Sequence, residues 1–219
     1  NTVNHSYFLV DNQSHIQKLI QELLLQKEFC FDTETTSLNT LEAELCGIAF
    51  SYEAHKAYYV PFPENQQEAF TLAQQFAPVF SSKSLKIGQN LKFDMSVLAN
   101  YNITIAGPVF DTMIAHYIIQ PEGRHKLESL SEQYLNYEMV KIEELIGKKG
   151  KNQGSFRDVP LEQAKEYAGE DADITFQLYQ LLSKELKQKN QLELCETIEF
   201  PLIEVLNTME RNGTCIDSV

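Results

Sequence analysis

The sequence predicts an α/β layer fold, on three observations. Apolar, β-branched and aromatic runs of strand length alternate with stretches of helical period. Three of those runs follow one another with only short turn-like segments between them. Over residues 160–189 an amphipathic pattern continues far beyond the length of any strand. At 219 residues the chain can hold one substantial domain with a single core, or one domain and the beginning of another.

Taken in order, Ile16, Leu19, Ile20, Leu23 and Leu24 recur at helical spacing, and a helix is expected over 14–26 with Ser14 as its cap. Residues 28–32, 44–52 and 56–60 read as a meander of antiparallel neighbours. A helix over 65–80 and a short strand over 85–88 come next, then helices over 90–101, 111–119 and 127–135. Pro160 opens the long helix at a position where a missing N–H costs nothing. A last helix is expected over 196–211, stopped by Gly213. The Lys- and Gly-rich residues 147–156 are the expected mobile connection. There is no internal repeat and no low-complexity segment.

A formal net charge of −13 argues against gripping nucleic acid by bulk electrostatics, because phosphate binding normally uses a basic face. One stretch opposes the trend: Lys141, Lys148, Lys149, Lys151 and Arg157 face only Glu143 and Glu144, a local +3. The four cysteines stand far apart without a C-x-x-C pair, so reduced structural thiols are expected. No apolar run approaches a membrane span and no secretory signal opens the chain, which predicts a cytoplasmic location. The start at Asn1 without methionine suggests a piece of a longer protein.

The acids deserve a reading of their own. Asp32 and Glu34 leave an apolar strand one residue apart, and residues i and i+2 of a strand project to one face. Two such charges about 6 Å apart repel by roughly 3 kcal/mol at an effective dielectric of about 20, a cost that a divalent cation reverses. Asp94 stands near a helix start, where the dipole alone favours an acid. On the long helix Tyr167 and Asp171 are i and i+4 and share a face, whereas Glu170 and Asp173 lie off it and are expected in solvent. His116 and His125 have no ligand spacing and are expected as packed or solvated side chains. Ser81, Ser82 and Ser84 lack a matched His/Asp arrangement, so no nucleophilic serine is expected.

Together these residues resemble a known set. Asp32 to Leu38 (DTETTSL), Asn90 to Asp94 (NLKFD) and the Tyr167-to-Asp171 spacing within YAGEDADIT resemble the three motifs of the proofreading 3'-5' exonuclease domain of bacterial family A DNA polymerases, a DEDDy exonuclease. FDTMIAHYI, GRHKLESL and KNQGSF between them are similar to the same family, and the likeness covers nearly the whole chain. It implies a ribonuclease H-like fold with a mixed central sheet, over residues 1–195, with residues 196–219 as the start of a polymerase region.

It also implies two divalent ions, Mg²⁺ or Mn²⁺, held by Asp32, Glu34, Asp94 and Asp171, with Tyr167 orienting the attacking water. Leu38 and Phe156 match positions that pack on terminal bases, Thr35 and Asn90 positions that contact the terminal nucleotide, and Arg124 a phosphate contact. The implied partners are a single-stranded or frayed DNA 3' end and the polymerase region of the same chain, in a monomer. Handling only a few nucleotides needs few phosphate contacts, which reconciles this substrate with the acidic charge. A ribonuclease D-like enzyme that trims RNA, and a silent domain that braces DNA, share these motifs and stay open at this point.

Overall fold

Residues 4–148, 150 and 153–216 are described by the computed structural model. Edge strand β1 (Ser6–Leu9) leads to α1 (Gln13–Leu25), which buries Ile16, Leu19, Ile20 and Leu23. Its cap is Asn12 and not Ser14: Asn12 is extended and accepts from the His15 N–H at 3.0 Å, while Ser14 already lies in the first turn. The meander is present as expected, β2 (Glu28–Thr35), β3 (Leu45–Glu53) and β4 (Lys56–Pro61), with both pairings antiparallel.

The helix expected over 65–80 is two helices, α2 (Gln66–Gln75) and α3 (Ala77–Phe80). Pro78 lacks the N–H that would continue the ladder, so the chain breaks at Phe76, whose ring stacks on Phe50 at 5.4 Å. Then come β5 (Leu85–Gly88), α4 (Leu91–Ala99), β6 (Val109–Asp111), α5 (Thr112–Ile119) and α6 (Leu127–Leu130), which widens into a π turn over Ser131–Leu135. After α7 (Ile142–Ile146) the chain makes a 3₁₀ turn at Phe156–Asp158 and enters α8 (Leu161–Gln188). The last helical stretch begins earlier than expected, at α9 (Leu192–Leu194), passes a π turn at Cys195–Glu199 and ends as α10 (Phe200–Asn212) before Gly213.

All six strands belong to one mixed sheet in the order β1-β4-β3-β2-β5-β6, parallel at β1/β4, β2/β5 and β5/β6. β3 is buried along nearly its whole length, so helices cover both faces of the sheet centre. On one side Phe31, Phe50, Phe76 and Phe80 interlock at ring separations of 5.0–6.1 Å. Each such side chain contributes about 1.5–3 kcal/mol by leaving water. α8 touches all five strands from β1 to β5. It does so through small residues: Ala164, Ala168 and Ala172 are buried, and a Cβ at Gly169 would stand 2.9 Å from the Tyr7 ring.

Glu170 and Asp173 are buried and not in solvent, because each is a fully engaged acceptor. Asp173 takes the Tyr7 hydroxyl at 2.9 Å and the His55 N–H at 2.7 Å, and Glu170 takes the Tyr137 hydroxyl at 2.6 Å and the Val140 N–H at 2.8 Å. They fasten β1, the β3–β4 turn and the segment before α7 to one helix.

Asp111 performs the corresponding task at the other end of the sheet. Its carboxylate accepts from Asn90 (3.2 Å) and Leu91 (2.7 Å) at the start of α4, and from Met113 (2.9 Å) and Ile114 (3.2 Å) at the start of α5. Burial raises its pKa, and the four backbone bonds oppose that rise. Asp111→Ala leaves four N–H groups without this acceptor. It is expected to lower stability by about 2–4 kcal/mol, read as a shift of the urea midpoint at constant slope, and an unchanged midpoint would contradict the double cap.

Candidate active site

The site begins where the sheet runs out. β5 pairs with β2 only as far as Cys30, but β2 continues to Thr35, so the Thr33 N–H has no strand partner on that side. Asp94, in the first turn of α4, supplies the acceptor: its Oδ1 takes the Thr33 N–H at 3.0 Å and the Thr33 hydroxyl at 2.6 Å. The turn that presents it requires Asn90 in the left-handed region (φ 63°), a conformation asparagine tolerates. Against β3, the register slips between Glu34 and Thr35, a bulge that bends β2 just as its acids emerge.

Alternation sends Asp32 and Glu34 to one face of β2, and α8 brings Asp171 there. One oxygen from each of these three residues lies within 4.8 Å of the others. At that spacing each pair of charges repels by about 3 kcal/mol or more at an effective dielectric of about 20. Burial pushes the Asp32 carboxyl up to about 6. Glu34, Asp94 and Asp171 are held well above the usual carboxylate range by burial and then by the charge of Asp32. Glu34 Oε1 is buried without a hydrogen-bond partner among the described residues. An acid cluster with an orphaned oxygen and no nitrogen or sulfur donor fits a hard divalent cation. Asp94 stands outside the three, and after burial it is the charge of Asp32 that raises its pKa.

One turn before Asp171, Tyr167 directs its hydroxyl at that carboxylate, and burial followed by the charge of Asp171 raises its pKa. The phenol therefore stays protonated at neutral pH. Its ring lies 5.9 Å from that of Phe156. Together with Glu34 these residues line a cleft of about 530 Å³. Thr35 and exposed Leu38 also line it, whereas Asn90 and Arg124 do not. The structure adds Phe93, Ile142 and Ile146. Phe93 was within reach of sequence reading, one residue before Asp94. The two isoleucines sit on a five-residue helix too short for a periodic signal. Of the basic stretch, Lys149 and Lys151 lie outside the described residues, as do parts of the 147–156 connection expected to be mobile. His116 and His125 pack on each other, with their Nδ1 atoms 2.7 Å apart.

The comparisons with known proteins agree with this geometry. Residues 7–187 match the model of a family described as 3'-5' exonuclease. The chain belongs to the 3'-5' exonuclease family. It is 36% identical over 99% of its length to DNA polymerase I of Borreliella burgdorferi and 34% identical over 97% to that of Pseudomonas aeruginosa. In each case it spans 24% of the relative, about a quarter of the curated proteins it matches. Among solved structures, Brucella melitensis NrnC shares the fold at a TM-score of 0.75 and 21% identity, over 95% of this chain and 94% of that one. The same nuclease has been seen with bound Mg²⁺ and bound to pGG. The exonuclease domain is thus ribonuclease H-like, as the motifs implied. None of its helices among the described residues is long and apolar enough to cross a membrane.

The raised carboxyl pKa values have a definite sign. Without metal, the folded domain binds more protons at this cluster than the unfolded chain above about pH 4, so its stability falls as pH rises through the folded values. In chelator at pH 7.5, Asp32→Asn is expected to stabilise the domain by roughly 1–3 kcal/mol. Mg²⁺ or Mn²⁺ should raise the parent's thermal midpoint and have little effect on the variant's. A variant less stable than the parent in chelator would show that the acids do not repel.

Proposed function

We propose that the exonuclease domain hydrolyses the terminal phosphodiester at a DNA 3' end with the help of two divalent ions, Mg²⁺ or Mn²⁺, releasing nucleoside monophosphates as a proofreading activity. The observation that carries this is the convergence of Asp32, Glu34 and Asp171 within 4.8 Å. When bound, such ions lower the pKa of an attacking water and stabilise the departing oxygen.

The chain's own groups supply the rest. Asp32, whose charge raises the pKa of Glu34, Asp94 and Asp171, would serve both ions, Glu34 and Asp171 would help to hold one of them and Asp94 the other. Tyr167 remains a phenol and acts as a hydrogen-bond partner that orients the water, not as a base. Leu38 and Phe156 hold terminal bases by their flat faces and read no base edge, so all four nucleotides are accepted. Thr35 contacts the terminal nucleotide with its hydroxyl, Asn90 adds a further contact, and Arg124, exposed between α5 and α6, meets a backbone phosphate.

In this reading the chain acts as a monomer in the cytoplasm, and residues from 196 onward begin a polymerase region that belongs to the same protein and holds the duplex. The length of the relatives and the identity of 34–36% support it. The basic charge that duplex binding needs is then placed elsewhere, which suits a domain of net charge −13.

The test is release of mononucleotides from 3'-labelled single-stranded DNA by purified protein with Mg²⁺ or Mn²⁺. Asp32→Ala and chelation are each expected to abolish release, and Tyr167→Phe to lower kcat by about 10²-fold with little change in KM. Equal turnover by Asp32→Ala and parent would overturn the assignment, and faster turnover of RNA than of DNA would move the substrate class to RNA ends.

A further inference from the structure

The motifs account for only part of the apolar lining of the cleft. Beside Leu38 and Phe156, the remaining apolar lining comes from Ile142 and Ile146 of α7 and from Phe93. Ile142 and Ile146 are i and i+4, so one face of this short helix turns toward the cleft, while Glu143 and Glu144 are exposed. The helix buries no residue completely. Its isoleucines remain half-exposed, Ile142 against the core and Ile146 at the cleft.

Such a helix needs a reason to keep its place. Ile146 provides a carbonyl that accepts the Gly154 N–H at 2.7 Å, two residues before Phe156. α7 and the Phe156 turn are also in contact, so the two parts of the lining are tied to each other by backbone. The cleft is continuous with Glu34 and Tyr167, which connects this apolar lining to the acid cluster. Aliphatic branches carry no donor or acceptor, so they suit the flat face of a nucleobase and cannot distinguish one base edge from another.

We propose that Ile142 and Ile146 extend the wall that Phe156 begins in the slot for the terminal bases of a single-stranded 3' end, making α7 a positioning element for the scissile bond. The inference rests on the exonuclease reading above and adds residues to it. Ile142 already packs against the core, but the exposed part of both isoleucines gains contact when a base enters, and that part of their contribution belongs to substrate binding. A duplex end, whose bases stay stacked in pairs, would not reach the slot, and the preference for frayed ends follows from the same packing.

A cycle of variant against substrate tests this. Hydrolysis of single-stranded oligonucleotides is measured with an ordinary 3' end and with an abasic nucleotide at the 3' end, for the parent, Ile146→Ala, Ile142→Ala and Ile146→Leu, with thermal midpoints to confirm folding. On the ordinary end each alanine variant should raise KM by about tenfold with kcat little changed, and Ile146→Leu should restore most of the loss. On the abasic end the parent should already show the raised KM and the alanine variants should add little to it. An equal alanine penalty on both ends would overturn the wall, because it would mean the isoleucines act without touching a base. Failure of the parent to release nucleotides from either end would instead overturn the exonuclease reading and the wall with it.

Discussion

Mutual repulsion among crowded acids, one buried and two half-buried, is the constraint on which the rest of the structure depends. Asp32, Glu34 and Asp171 bring three oxygens within 4.8 Å, with Asp94 close enough to raise the group further. Side chains left to themselves would rotate apart, so the backbone around them has to be rigid enough to refuse. The fold meets this requirement with long-range packing: a sheet covered on both faces, a 28-residue helix laid across five strands, and acids that are themselves tied by hydrogen bonds. The energy comes from the core, where phenylalanine and aliphatic burial outweigh a local penalty of a few kcal/mol.

Two kinds of carboxylate serve this frame. Asp111, Glu170 and Asp173 are satisfied by two or more donors each and act as fasteners. Glu34 is left with an oxygen that none of the described residues answers. Acids of both kinds are buried, so burial does not separate architecture from chemistry, and Asp94 joins the two roles by fastening Thr33 with its Oδ1 beside the cluster.

Much of this was legible in the sequence, and the reasons for the remainder are physical. The meander, the long helix and the stop at Gly213 follow from periodicity and backbone preference, and the fold class from their alternation. Asp32, Glu34 and Asp171 were found because strand and helix spacing fix which residues share a face. β1 and β6 were missed, strands of four and three residues that give little alternation, while β5, as short as β1, was read from its apolar run between turns. α7 was missed for the same reason. Glu170 and Asp173 were misplaced because helical spacing tells which side an acid occupies but not what waits there. Their partners, Tyr137 and Tyr7, are distant in sequence and become neighbours only in the folded chain.

The double cap at Asp111 has a dynamic consequence. Four amides at the starts of two helices share one acceptor, so none of them can open to solvent without loosening the hold on the other three. α4 and α5 therefore share a single point of local unfolding, and the amides of Leu91 and Met113, remote from each other along the chain, should exchange their hydrogens with similar protection. Asp94 rides on the first turn of α4. The stillness of that joint sets how steadily an acid of the cluster is held, over times far longer than any side-chain rotation.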